Sequence, residues 1–159
     1  MEKTIERRKL KNRAVRFLVQ KAQKVCLDYF KEEYEYSPAE AIEELGVELD
    51  LVDHLVEDYV IQIIRSDATF REHLAVLKQA KSDNKELDYT AFRNLAHKNL
   101  GVARNLRIKD SAQVLEDLLK KDDLDYLEHS LEILKACTIR LNPVSAYDAL
   151  YLIQLKSSF

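Results

Sequence analysis

Turn formers are scarce in this chain: two glycines and two prolines among 159 residues. Sheets joined by tight hairpins draw on both residues for the backbone angles of their turns. Their scarcity points away from a β fold and toward long helices. Cysteine is equally rare. Cys26 and Cys137 are too few and too isolated in sequence for a disulfide framework or a zinc site, and Cys137 reads as a core thiol within an apolar helical pattern. No apolar run approaches the roughly 18 residues that a membrane span needs. The N-terminus has neither the apolar stretch nor the small-residue cleavage site of a signal peptide. Also missing are a glycine-rich phosphate loop, a Ser or Cys nucleophile motif and a kinase ATP signature, so nothing here suggests phosphorylation from ATP. His54, His73 and His129 fall on separate predicted helices without a His or Cys at ligand spacing, and no metal site is expected from them. The expectation is an all-α cytoplasmic protein.

What the chain does contain is an ordinary core and an uneven charge. Hydrophobic residues make up 47% and charged residues 33%, enough apolar material for one domain of this length. Residues 1–25 carry nine Lys/Arg against Glu2 and Glu6, a net charge of +7. The remainder carries 16 basic and 26 acidic residues, a net charge of −10. A basic arm therefore precedes an acidic body.

Residues 4–34 read as one helix, with Val15, Leu18, Val19, Ala22, Val25, Cys26 and Tyr29 recurring every three or four positions. Ser37, Pro38 and Glu40 form a helix start, and Gly46 is a natural end to that short helix. A second helix from about Glu48 carries Leu51, Val52, Leu55, Val56, Tyr59, Val60 and Ile63. Ser66-Asp67 is expected to kink or restart it before it continues to about Lys81. Asp88 caps the His97 helix, Lys109-Asp110 begins another that Lys121-Asp122 ends, and Asp123 to Leu141 form the next. Asn142-Pro143 ends that one, and Ser145 caps a last amphipathic helix carrying Tyr147, Leu150, Tyr151, Ile153 and Leu155. The resulting division is a basic helix over 1–36, a helical bundle over 37–142 and a C-terminal helix over 143–159.

Residues 88–108, DYTAFRNLAHKNLGVARNLRI, are the stretch where chemistry concentrates. At about 100° per residue, Ala91, Phe92, Leu95, Ala96, Val102, Ala103 and Leu106 share one broad arc, the expected buried face. His97 falls nearly opposite and faces solvent, with Gly101 one turn further along. Arg93, Lys98, Leu100 and Arg104 fill out the outer face. A glycine inside a helix costs about 1 kcal/mol relative to alanine, and one reason to tolerate it here is access to the imidazole.

This spacing resembles the active helix of the histidine-containing phosphotransfer (HPt) family: His97, Gly101 at +4, Asn105 at +8 and Leu106 at +9, led by Asp88-Tyr89, Phe92 and Ala96. Residues 41–60 are similar to the opening segment of such domains and 112–134 to their closing hairpin, so the resemblance covers roughly 38–142. It implies an antiparallel four-helix bundle with an added long N-terminal helix and a C-terminal helix. It also implies that His97 accepts a phosphoryl group from the aspartate of a response-regulator receiver domain and returns it to another, within a relay that includes a hybrid histidine kinase. Arg93, Lys98 and Arg104 would meet the phosphoryl oxygens, Gly101 would give room, and Leu100 and Ile108 would form the apolar patch on which the receiver docks. The chain would be a phosphocarrier needing no cofactor of its own, since Mg2+ would come with the receiver. Four positions differ from the family's pattern. Asn99 stands where an apolar residue is usual, Leu100 replaces lysine, Arg104 replaces a small residue, and Arg107 replaces the glycine that ends the helix. Asn99 also lies within the buried arc and requires a hydrogen-bond partner.

Two other readings attach to the same chain. One is an HPt-like adaptor that docks a receiver or other signalling protein without transfer. The other is an electrostatic binder acting through residues 1–25, although no aromatic residue interleaves the first 16 positions and nucleic acid is a poor fit. The terminal helices are also candidates for homodimer contacts.

Overall fold

Both prolines and one of the two glycines sit at helix ends in the computed structural model, which describes residues 1–157. Seven helices and no strand are found among the described residues: α1 Glu2–Phe30, α2 Ala39–Leu45, α3 Leu49–Ser82, α4 Thr90–Asn105, α5 Lys109–Lys120, α6 Leu124–Leu141 and α7 Pro143–Ser157. The final two positions of the segment expected at 143–159 lie outside the described residues. Among the described residues no helix is long and apolar enough to cross a membrane.

Local chemistry accounts for most helix ends. Gly46 closes α2 in the left-handed conformation (φ 64°), its N–H donating to the Ile42 carbonyl. The Asp123 carboxylate opens α6 by accepting from the amides of Asp125 and Tyr126. α2 starts at Ala39, one residue after the proline expected in its first position. α7 starts at Pro143, with the Asn142 side-chain oxygen accepting from the Ser145 amide, so Asn142 and not Ser145 is the cap. The helix expected over 4–34 stops at Phe30, and residues 31–37 run irregularly. That connection is anchored by two hydroxyls: Tyr36 donates to the Leu106 carbonyl and Tyr34 accepts from the Lys109 amide.

No break occurs at Ser66-Asp67, and α3 is a single helix of 34 residues, roughly 50 Å long. Ser66 is buried, and its hydroxyl accepts from the amides of Gln62 and Asn99. A helix interior that supplies such partners tolerates the serine.

α3 lies against α4 and α6, and α5 lies against the same two, so these four helices close a ring. Phe70 of α3 meets Phe92 of α4 edge to face, with centroids 5.3 Å apart. Leu115 and Leu118 of α5 and Leu127 and Leu131 of α6 fill the centre. Each such side chain contributes about 1.5–3 kcal/mol through burial. α1 covers α6 and α7 through Ala22, Cys26 and the half-buried Leu18 and Val25, while α7 turns Ala146 and Ala149 inward and also contacts α3. The Tyr147 and Leu150 positions of α7 are half-buried, whereas Tyr151 and Leu155 are exposed. Tyr29 fastens the end of α1, its hydroxyl donating to Asp117, which also accepts from Tyr126. Residues 2–10 of α1 are exposed, and Lys11 is the first to meet the body, pairing with Asp148 of α7.

α4 ends in a Schellman turn: Arg107 N–H donates to the Arg104 carbonyl and Ile108 N–H to the Ala103 carbonyl. Arg107 adopts φ 59° there, a conformation that favours glycine. Its guanidinium pairs with Glu44 at the surface, which offsets part of the strain. Arg107→Gly is therefore expected to be more stable than Arg107→Ala by about 1 kcal/mol in urea titrations. Equal midpoints would remove the left-handed backbone from the account.

Candidate functional site

Asp88 sets the start of α4. Its carboxylate accepts from the Thr90 hydroxyl at 2.6 Å and the Thr90 amide at 3.0 Å, and these two bonds, the hydroxyl's first, hold its carboxyl below the usual carboxylate range. The helix then buries Phe92, Ala96, Asn99, Leu100 and Ala103, followed by Leu106. Relative to the expected arc, the helix is rolled by about 50°. Ala91 and Val102 are exposed, and Leu95 is half-buried. The apolar count alone does not choose between the two arcs. The larger Leu100 goes inside (2% exposed), and the smaller Val102 is left at the edge (40%).

The roll leaves His97 outside. Its residue is exposed, and no hydrogen bond or ion pair holds the ring among the described residues. Gly101 is exposed as well, and a β-carbon built there would meet nothing within 4 Å. Space for a visiting group therefore exists beside the imidazole.

Leu100 and Ile108 do not form the apolar docking patch expected of them. Leu100 points into the core because of the roll, and Ile108 is wholly buried because the turn at Arg107 folds it back over Ala103. The apolar surface beside this helix lies on its other edge instead. Leu45, Leu55 and Val102, with Tyr59 and Leu106 beneath, line a shallow groove rimmed by Asp58, Gln62, Lys98 and Asn105. No sequence pattern brings these residues together as one surface, because the groove joins α2, α3 and α4.

The expected cations are present but unequally free. Lys98 is exposed and makes no ion pair among the described residues. The Arg93 guanidinium reaches Asp122 at 2.6 Å and lies over the Tyr89 ring at 4.4 Å. Arg104 reaches Glu116 at 2.7 Å. Their partners belong to α5 and the connection after it, so both arginines lean toward the α5 side over the edge of the core, as long stems do. Such exposed pairs are worth about 0–1 kcal/mol, so an incoming dianion can compete for either guanidinium.

Asn99 has its partner for the donating half only. Its amide donates to the Leu95 carbonyl at 3.0 Å and the Ser66 hydroxyl at 3.4 Å, while its side-chain oxygen is buried without one. The bond to Ser66 ties α4 to α3, while the one to Leu95 stays within α4. Among the described residues no three His, Cys, Asp or Glu side chains gather as metal ligands would.

Among the described residues the arrangement offers a solvent-exposed imidazole, open space one turn away, the unpaired ammonium of Lys98 and two guanidiniums held by weak pairs. No protein-family model matches the chain, and no curated protein or solved structure matches it either.

Proposed function

We propose that the chain is a phosphorelay intermediate that carries a phosphoryl group on His97, and that α3 to α6 are an HPt-like four-helix bundle presenting it. The observation that carries this reading is the exposed imidazole in the middle of α4, without a partner among the described residues and with an open glycine at +4. The left-handed backbone at Arg107 adds support, since it falls where the family places a glycine.

In this mechanism a neutral imidazole nitrogen of His97 attacks the phosphorus of a receiver's aspartyl phosphate. A P–N bond forms while the acyl P–O bond breaks, and the receiver regains its carboxylate. The reverse step passes the group to a second receiver. Phosphoryl transfer of this type asks the carrier for position and charge rather than covalent machinery. Lys98 meets the phosphoryl oxygens first, and Arg104 or Arg93 can exchange its carboxylate for them. The divalent ion belongs to the receiver, and a cytoplasmic setting goes with the same reading. The Leu45–Leu55–Val102 groove, about a third of a turn around α4 from His97, replaces Leu100 and Ile108 as the apolar ground for docking.

The test is incubation with a phosphorylated receiver. Wild type is expected to acquire an acid-labile, alkali-stable phosphate, and His97→Gln to acquire at least ~100-fold less while keeping its helical signal. Equal labelling of both proteins would contradict the assignment. Receiver binding that survives the substitution, with no transfer by wild type, would make the chain an adaptor instead.

A further inference from the structure

Two thiols separated by 111 positions meet in the interior. Cys26 of α1 and Cys137 of α6 are both buried, with their Sγ atoms 3.8 Å apart and sharing a hydrogen bond. The phosphoryl chemistry uses neither. Their surroundings are not plain hydrocarbon. Arg140 lies one turn beyond Cys137, pairs with Asp110 at 2.8 Å, and both charges act on the two sulfurs. Cys137 also borders a cleft of about 210 Å³ together with Tyr34, Tyr36, Asp110 and Arg140. That cleft leads a small oxidant to Cys137, which lines it, and Cys26 lies directly behind.

We propose that Cys26 and Cys137 form an oxidisable dithiol that a hydroperoxide converts to a disulfide, fastening α1 covalently to α6. The peroxide O–O bond breaks as one oxygen passes to the first sulfur, giving a sulfenic acid and releasing the alcohol, or water from hydrogen peroxide itself. The second thiol then attacks that sulfur, an S–S bond forms, and its proton leaves with the hydroxyl as water. Two thiols lose two electrons, and the peroxide gains them.

The geometry suits this step. A disulfide needs sulfurs about 2.05 Å apart, so the pair must close by a little under ~2 Å, within reach of small side-chain rotations and slight helix movement. Neighbouring contacts keep the two helices together while this happens: Tyr29 of α1 donates to Asp117, which Tyr126 of α6 also reaches. The bond would close a loop of more than a hundred residues, the length at which a crosslink constrains the unfolded chain strongly.

The whole protein treated with hydrogen peroxide, then unfolded and alkylated, tests the proposal. A mass lower by two hydrogens, no alkylated thiol and a peptide pair joining Cys26 to Cys137 are expected. The oxidised protein should melt roughly 10 °C higher, and dithiothreitol should reverse the rise. Cys26→Ser and Cys137→Ser should each form no internal link. Two thiols still open to alkylation, or two separately over-oxidised sulfurs with no link, would overturn the proposal. The wild-type mass alone decides this, so a poorly folding serine variant does not weaken the test.

Discussion

Asp110→Ala is expected to lower the unfolding free energy by about 3 kcal/mol, a fall in Tm of roughly 6–12 °C for a chain of this size. Asp110 opens α5, yet its side chain is only 7% exposed, and that of its partner Arg140 is 17% exposed. One carboxylate oxygen accepts from the Arg140 guanidinium at 2.8 Å and the other from the Ser111 amide at 2.7 Å. Removing the carboxylate strands a cation among Tyr34, Leu141 and the two thiols. An unpaired charge here is costlier than the pair was favourable, because both side chains are already largely desolvated. The double change Asp110→Ala with Arg140→Met should therefore recover most of the loss. Urea titration distinguishes the outcomes. A single variant within 1 kcal/mol of wild type, or a double variant less stable than the single, would show that the pair does not matter in this way.

Changes at Gly101 should move stability and transfer in opposite directions. Gly101→Ala removes backbone freedom from a helix interior without any clash, so a gain of about 0.5–1 kcal/mol is expected. Gly101→Trp keeps the helix but sets an indole one turn from His97, where side chains four apart are neighbours. Phosphoryl acquisition from a receiver should then fall at least ~10-fold, since a misplaced approach removes the orientation on which the step depends. The melting temperature should not fall with it. Transfer by Gly101→Trp at the wild-type rate would show that the open face of α4 is not the route of approach.

Three helix boundaries were legible because single residues with short-range chemistry fix them: Gly46 by its left-handed angle, Asp123 by its two amide bonds, Pro143 by its missing N–H; the end of α1 at Phe30 was not. The interior of α3 was not. Ser66-Asp67 carries a local preference for a break, and of the two groups that satisfy the Ser66 hydroxyl, Gln62 is local but Asn99 comes from another helix. The roll of α4 was illegible for a related reason. Leu95 and Val102 on one flank and Leu100 on the other are comparable in hydropathy, and the positions of α3 and α5 decide which flank is covered. The roll alone misplaces Leu100, and the left-handed turn at Arg107, which folds Ile108 back over Ala103, misplaces Ile108. His97 survived the error, because its direction lies outside the core for either roll. The contact between Cys26 and Cys137, like the hold of Tyr34 and Tyr36 on the α4–α5 corner, depends on tertiary packing that no local pattern records.

Phosphopeptide mapping after transfer from a labelled receiver tests the central assignment most directly. Cleavage after Arg93 and Lys98 isolates His97 in the short peptide Asn94–Lys98. The expected result is one phosphoryl group on that peptide, stable in alkali and lost in acid. Phosphate on any other peptide, or none on the chain while the receiver loses its own no faster than alone, would contradict a carrier role for His97.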